Sequence, residues 1–339
     1  MNRSELIANA QALVMPGKGI LAADESTSTI KKRFDTIHLE STEENRRAYR
    51  ELLFTTQGAA EYISGVIFYD ETLRQKTQDG KSFPQVLADQ GIMPGIKADT
   101  GLEPLAGFPD EQITKGLDDL RQRLADYYKL GARFAKWRAV ITIGPNLPTL
   151  AAIDANASAM ARYAGLCQEA GLVPIIEPEV LMDGDHPIER CEEVTSLTLK
   201  RMFDALYEQN VLLEGTLLKP NMVLPGKKCP QQASPQQVAE ATIRCLRRVV
   251  PAAIPGIVFL SGGQSPEEAT ANLNAMNAMG AHPWELSFSY GRALQEPVLK
   301  SWQGQANNAA AAQKTYHHRA KLNSAARSGH YTPAMEKAE

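Results

Sequence analysis

With 339 residues, 43% of them hydrophobic, the chain is long enough to bury one large core without disulfide or metal staples. Its 36 Lys plus Arg against 39 Asp plus Glu leave a net charge of -3, which excludes general electrostatic attraction to nucleic acid or an anionic membrane, so any anion binding has to be local. Cys167, Cys191, Cys229 and Cys245 lack CxxC spacing, the start Met1-Asn2-Arg3-Ser4-Glu5 is too polar for a secretory segment, and no apolar run approaches about 18 residues; a soluble, cytoplasmic protein with free thiols is expected.

Short β-like runs alternate with longer stretches of helical period, the pattern of repeated βα units around a parallel sheet. The first strand is expected over Gly19 to Asp24, and a helix over Thr42 to Gln57 whose start, Thr42-Glu43-Glu44-Asn45, matches a capping box only loosely. Strands follow at Gly65 to Tyr69 and Gly91 to Lys97, a helix at Asp110 to Leu130 and a strand at Ala132 to Trp137. Next come a helix over Leu150 to Ala170, a strand over Val173 to Glu177, and a helix over Ile188 to Gln209 behind Pro187. Leu212 to Lys219 reads as the sixth strand, ended by Pro220. Helices over Ser234 to Val250 and Ser265 to Met279, each opened by Ser-Pro, flank a strand at Gly256 to Leu260, and Glu285 to Tyr290 is the eighth strand. Eight strands with eight crossovers give an α/β fold, a closed (β/α)8 TIM barrel over residues 1–302. Residues 303–339 are expected to hold a C-terminal helix, Asn307 to Ala326, and then a mobile polar end from Arg327 to Glu339.

In such a barrel the C-terminal strand ends carry Asp24, Asp70, Lys97, Lys136, Glu177, Lys219, Ser261 and Ser289. Packed strands tolerate ionisable groups poorly unless these are paired or functional, so their recurrence at one end reads as a site. Lys219, after Leu217 and Leu218 and before Pro220, is the candidate nucleophilic amine. The period of two puts Lys136 with Arg138, and Glu177 with Glu179, on one side of their strands. Lys136 and Lys219 belong to alternate strands and are expected to lie close, one cation depressing the pKa of the other. Asp24, Glu177 and Glu179 supply carboxylates for proton transfer. Leu260-Ser261-Gly262-Gly263-Gln264-Ser265 and Ser289-Tyr290-Gly291-Arg292 follow the last two strands with glycine backbone, hydroxyls and a guanidinium suited to phosphate. A second anion site is read from Ser26, Thr29, Lys32 and Arg33, joined by Lys97 and Arg138. The six histidines show no ligand spacing beyond the adjacent His317 and His318, and no metal is expected.

These segments carry a resemblance to a known family. Gly17-Lys18-Gly19-Ile20-Leu21-Ala22-Ala23-Asp24-Glu25-Ser26, Phe134-Ala135-Lys136-Trp137-Arg138, Glu177-Pro178-Glu179, Leu217-Leu218-Lys219-Pro220-Asn221 and the two glycine loops, in this order between about Leu6 and Pro333, resemble the class I, Schiff-base-forming fructose-1,6-bisphosphate aldolases. The resemblance implies reversible cleavage of fructose 1,6-bisphosphate to dihydroxyacetone phosphate and glyceraldehyde 3-phosphate in glycolysis and gluconeogenesis, with no cofactor or metal. It implies that Lys219 attacks the C2 ketone, Glu177 dehydrates the carbinolamine, Asp24 takes the C4 hydroxyl proton, and Lys136 and Glu179 support charge and proton placement. It puts the C1 phosphate at Ser261, Gly262, Gly291 and Arg292, the C6 phosphate near Ser26, Lys32, Arg33, Lys97 and Arg138, and the chain in a homotetramer. The sequence departs from the family at Ser28, where many relatives have glycine, and at its end, Glu339, where animal members carry a terminal tyrosine that assists proton transfer. The alternatives are a lysine-imine aldolase or transaldolase for another sugar phosphate, or a scaffold protein of the same fold.

Overall fold

The computed structural model describes residues 2–337. Ten strands form in chain order: β1 (Gly19–Ala23), β2 (Ile63–Phe68), β3 (Met93–Lys97), β4 (Gly101–Pro104), β5 (Gln112–Lys115), β6 (Phe134–Ile141), β7 (Val173–Val180), β8 (Leu217–Leu218), β9 (Gly256–Phe259) and β10 (Glu285–Tyr290). Eight of them close a parallel barrel in the order β1-β10-β9-β8-β7-β6-β3-β2, as the alternating pattern predicts. Their near-continuous burial explains why they read as unbroken apolar runs: a parallel strand in a barrel has side chains on one face and helices on the other.

Two segments of the barrel depart from expectation. Asp110 to Leu130 is not one helix. Gln112–Lys115 pairs antiparallel with Gly101–Pro104, and the connecting turn uses positive φ at Gly107 and Asp110. The hairpin is pinned where the Thr114 hydroxyl donates to the carbonyl of Arg138 at 2.8 Å, and the helix begins only at Leu120. Likewise, the expected strand from Leu212 contracts to Leu217–Leu218, because Leu213–Gly215 winds into a 3-10 turn. The Gln168 amide satisfies that turn, donating to the carbonyl of Leu212 at 2.8 Å and accepting from its N–H at 2.9 Å. The ladder resumes past the strand, the N–H of Lys219 donating to the carbonyl of Ile176 at 2.8 Å.

Twelve α-helices complete the fold among the described residues: α1 (Arg3–Leu13), α2 (Thr27–Asp35), α3 (Glu43–Phe54), α4 (Asp70–Arg74), α5 (Phe83–Ala88), α6 (Leu120–Lys129), α7 (Leu150–Glu169), α8 (Ile188–Glu208), α9 (Pro235–Val249), α10 (Pro266–Ala278), α11 (Arg292–Trp302) and α12 (Ala309–Arg327). Local chemistry fixes several starts. The Ser26 hydroxyl caps α2, and Ser234 and Ser265 form full capping boxes with Gln237 and Glu268. Helix α12 packs on α10 and α11, and Arg327 ties it to the barrel by pairing with Glu285 at 2.8 Å and donating to the carbonyls of Val14, Met15 and Lys18. The polar end from Arg327, expected to be mobile, is instead packed as far as it is described: Arg327 closes α12, buried Tyr331 donates to Glu336 at 2.8 Å, and Glu336 pairs with Arg319 at 2.6 Å. Ala338 and Glu339 lie outside the described residues.

The N-terminal mouth of the barrel is plugged. Leu6, Ala10 and Leu13 of α1, with Val14, pack into a cluster with Ile20, Ile67, Phe134, Val173, Ile175, Leu217 and Val258 from the barrel interior. Glycine makes room for the aromatic ring there: a Cβ on Gly95 would stand 2.3 Å from the Phe134 ring. The packing therefore allows a ring or a side chain opposite it, but not both. Gly95→Ala is expected to destabilise the protein by about 1–3 kcal/mol and Phe134→Ala by about 3–5 kcal/mol. In the Phe134→Ala background the Gly95→Ala change becomes neutral or stabilising, which urea unfolding of the four proteins in this cycle measures; additive losses would reject the jigsaw.

Candidate active site

The opposite, C-terminal mouth of the barrel opens into a cavity of about 960 Å³ lined from nearly every strand end. Lys219 immediately follows β8, and Pro220 stops the strand there, so the amine sits at the strand tip with only 3% of the residue exposed. Its Nζ lies 3.1 Å from Glu177 Oε1, on β7. The other oxygen of the same carboxylate is 3.1 Å from Lys136 Nζ, on β6, so Glu177 stands between two buried ammonium groups. Lys136 in turn lies 2.8 Å from Asp24 Oδ2, just beyond β1, and 3.7 Å from Asp99 Oδ2.

This arrangement decides the electrostatics. Burial alone would push the pKa of Lys136 down, but Asp24, Glu177 and Asp99 outweigh it and raise the value above that of an ordinary lysine. The expectation that the lysine pair depresses its members is therefore overturned for Lys136, because a carboxylate separates the two cations. Asp24 shows the mirror image. Burial opposes its charge, yet Lys136, Lys219 and Lys97 together hold its pKa well below the usual carboxylate range. Next to it, Glu25 is also held low despite burial, by Arg33 and Arg50.

The remaining residues line the same cavity from two sides. Lys97 Nζ, at the end of β3, pairs with Asp99 and donates to its backbone carbonyl at 2.7 Å; Arg138 pairs with Glu179. Ser26, at the N-cap of α2, contributes a hydroxyl with Ser28 and Thr29 beside it. Across the mouth stand Ser261, Gly262, Gly291 and Arg292. A side chain at Gly262 would start 2.8 Å from Glu179 Oε1, and Gly263 has φ +82°, so the loop after β9 is shaped by the absence of Cβ atoms. Gly291 forms the N-cap of α11, bringing that helix's N-terminus to the cavity wall.

One expected residue is not brought in. Lys32 lies on the exposed face of α2, outside the cavity lining, because Ile30 and Phe34 take the inward positions of the helix. Two residues join that were not selected from sequence as site groups: Asp99 bridges Lys97 and Lys136, and Glu25 anchors Arg33. Ser289, expected at a strand end beside the phosphate loop, presents a buried hydroxyl without a hydrogen-bond partner at the end of β10. Asp99 had a signal, two positions beyond Lys97.

A parallel eightfold barrel with a buried lysine paired to a carboxylate at its C-terminal mouth, between two anion-suited loop groups, places the protein among the (β/α)8 barrels with a polar site at the strand tips. Comparison with known proteins makes the class specific. Residues 5–339 match the family described as "Glycolytic: Fructose-bisphosphate aldolase class-I". A protein of Xanthomonas campestris pv. campestris named "Probable fructose-bisphosphate aldolase class 1" is 60% identical over 97% of this chain and 99% of its own. The "Fructose-bisphosphate aldolase, cytoplasmic isozyme" of Spinacia oleracea is 58% identical over 96% of this chain and 92% of its own. A solved structure of fructose-bisphosphate aldolase from Plasmodium falciparum, in complex with TRAP and a small-molecule inhibitor, superposes with a TM-score of 0.96 at 54% identity, covering 97% of this chain and 95% of that one. The chain belongs to the class I fructose-bisphosphate aldolase family, whose members cleave fructose 1,6-bisphosphate reversibly through a lysine Schiff base without a metal ion.

The depressed Asp24 carboxyl gives a pH prediction. It binds its proton more weakly folded than unfolded, so its contribution to stability is complete above the ordinary value of 3.8 and is lost as pH falls through the lower, folded value. Asp24→Asn is expected to flatten the acid limb of stability against pH while changing little near neutrality apart from a constant offset. Thermal melts between pH 2 and 7 check this; curves for the two proteins that stay parallel below pH 3.8 would refute it.

Proposed function

We propose that Lys219 is the imine-forming residue of this aldolase and that the cavity around it takes fructose 1,6-bisphosphate. The observation that carries the reading is the buried Lys219 amine, 3.1 Å from Glu177 at the barrel mouth. Glu177 is near enough to take a proton from the ammonium and release the amine as a nucleophile toward the C2 ketone. The same carboxyl then protonates the departing hydroxyl of the carbinolamine, and water leaves. The resulting iminium draws electrons from the C3–C4 bond, which breaks when Asp24 accepts the C4 hydroxyl proton. Glyceraldehyde 3-phosphate departs, the enamine is protonated at C3, and hydrolysis returns Lys219 and dihydroxyacetone phosphate.

In this reading Lys136 holds Asp24 and Glu177 in place and balances their charge, and Glu179 performs the same service for Arg138. The C1 phosphate is assigned to Ser261, Gly262, Gly291 and Arg292. The C6 phosphate is assigned to Ser26, Arg33, Lys97 and Arg138, with Lys32 left out because it faces away. Cytoplasmic location follows the plant relatives described as cytoplasmic and cytosolic; no described helix is long and apolar enough to cross a membrane. A homotetramer is assigned by family resemblance.

Borohydride reduction in the presence of dihydroxyacetone phosphate, followed by peptide mass mapping, is expected to leave a stable adduct on Lys219. Lys219→Met is expected to lose both the adduct and cleavage activity, and a chelator to change neither. Glu177→Gln is expected to lower kcat by about 10²–10⁴-fold, the range for a lost general acid or base. An unmodified Lys219 in the active enzyme would overturn the assignment.

A further inference from the structure

Lys219 is presented by the shortest strand of the barrel. β8 contributes only Leu217 and Leu218, and its register, with Leu218 opposite Ile176, puts Glu177 beside Lys219 one step further on. There the backbone ladder runs short of donors. The N–H of Lys219 still reaches the carbonyl of Ile176 at 2.8 Å, but in a parallel pair the return bond to the Lys219 carbonyl has to come from residue 178, which is proline. Pro220, the residue after Lys219, has no N–H either. The two side chains proposed to exchange a proton therefore sit where proline interrupts the ladder between the strands that carry them.

Asn221 takes over the pairing with its side chain. Its Oδ1 accepts the N–H of Val180, the next donor of β7 on that side, at 2.9 Å. Its amide donates to the carbonyl of Met222 at 3.0 Å and to the hydroxyl of Thr195, on α8, at 3.2 Å. A backbone N–H can only donate, so Oδ1 has to face Val180, which leaves the NH2 group for the other two partners. Asn221 is 1% exposed and Thr195 is buried too, so these bonds form away from solvent. On the opposite side the carbonyl of Pro220 accepts the N–H of Leu260, just after β9, at 3.1 Å. Glu177 and Glu179 thus lie on a stretch of β7 clamped at both ends against the Lys219 tip, by backbone at Ile176 and by the Asn221 amide at Val180.

We propose that Asn221 is a positioning residue for imine formation: its amide replaces the ladder bond that Pro178 cannot make and holds the Lys219 amine in register with Glu177. The inference rests on the reading that Lys219 forms the imine. A reacting group misplaced by about 1 Å can lose about 10²-fold in rate. The phosphate contacts assigned above come from other strand tips, so the loss falls on the chemical step and not on anion binding.

The test mixes wild type, Asn221→Leu and Thr195→Val with dihydroxyacetone phosphate, quenches each into borohydride after set times and maps the adduct on Lys219 by mass. Each protein then yields a rate constant and an end-point. Asn221→Leu removes the acceptor and the donors together and is expected to slow adduct formation by about 10²-fold while reaching the wild-type end-point. Ki for inorganic phosphate is expected to stay unchanged. Thr195→Val keeps the bond to Val180 but unhooks the amide from α8; it is expected to slow the same step by a smaller factor, and it carries the test if Asn221→Leu does not fold. In a Glu177→Gln background Asn221→Leu is expected to add little, because both changes act through one Lys219–Glu177 contact. A reduced end-point at an unchanged rate constant would mark a folding loss and overturn the proposal, as would full additivity with Glu177→Gln. If wild type forms no adduct on Lys219, the imine reading itself fails; if it does while both variants keep its rate constant, only the positioning role fails.

Discussion

The Glu177 carboxylate, with one oxygen 3.1 Å from Lys219 and the other 3.1 Å from Lys136, is the contact on which the rest of the site is arranged. Two ammonium groups in a low-dielectric barrel would repel strongly if they faced each other, and each would be costly to desolvate. Placing a carboxylate between them offsets both penalties. It also gives each lysine a different neighbourhood: Lys136 is ringed by Asp24, Glu177 and Asp99, whereas Glu177 is the carboxylate at salt-bridge distance from Lys219. Under the proposed assignment this asymmetry divides the labour. Lys136 stays a cation throughout, and Lys219 exchanges its proton with Glu177.

That arrangement needs strand tips held to within fractions of an ångström, and the far end of the barrel explains how they are. Helix α1 and the Phe134 ring fill the N-terminal mouth, and Gly95 is bare because the ring occupies the space its side chain would take. Register transmits this packing to the site. Gly95 pairs with Phe134 at the bottom of β3 and β6, and two positions along, Lys97 pairs with Lys136 at the top. On the next strand, Arg138 is opposite Glu177. A rigid plug at one end and a polar ring at the other are thus two layers of the same ladders.

The barrel and most of its polar ring are legible in the sequence because strand tips are where an apolar run meets a charge: Ala23 before Asp24, Ile96 before Lys97, Ile176 before Glu177, Leu218 before Lys219. Segments without that contrast are less readable. Leu212 to Leu218 is apolar whether it is strand or turn, and what bends it is Gln168, over forty residues away in sequence. Gln112–Lys115 lacks any local reason to pair with Gly101–Pro104 beyond the left-handed turn at Gly107 and Asp110, a geometry that Asp adopts more readily than most residues but does not announce. Lys32 illustrates the converse. Adjacent to Arg33 in sequence, it looks equally suited to an anion, but a helical step of about 100° turns it to solvent.

Asp24 poses a sharper physical question, since a carboxyl held well below the ordinary range is a feeble base. Its proposed role requires that basicity to rise once substrate is bound. The causes of the depression indicate how this occurs. Lys136, Lys219 and Lys97 supply the field, and under the proposed assignment a bisphosphate acts on the last two. A phosphate near Lys97 screens its charge, and the dianions together oppose the whole cationic ring. Under the proposed assignment Lys219 ceases to be an ammonium when it becomes the nucleophile, although its iminium restores a positive charge adjacent to the bond that breaks. Only Lys136 persists beside Asp24 through every step. Pairing with these cations stabilises the folded Asp24 anion, and under the proposed assignment substrate charge loosens that pairing when a proton has to be taken.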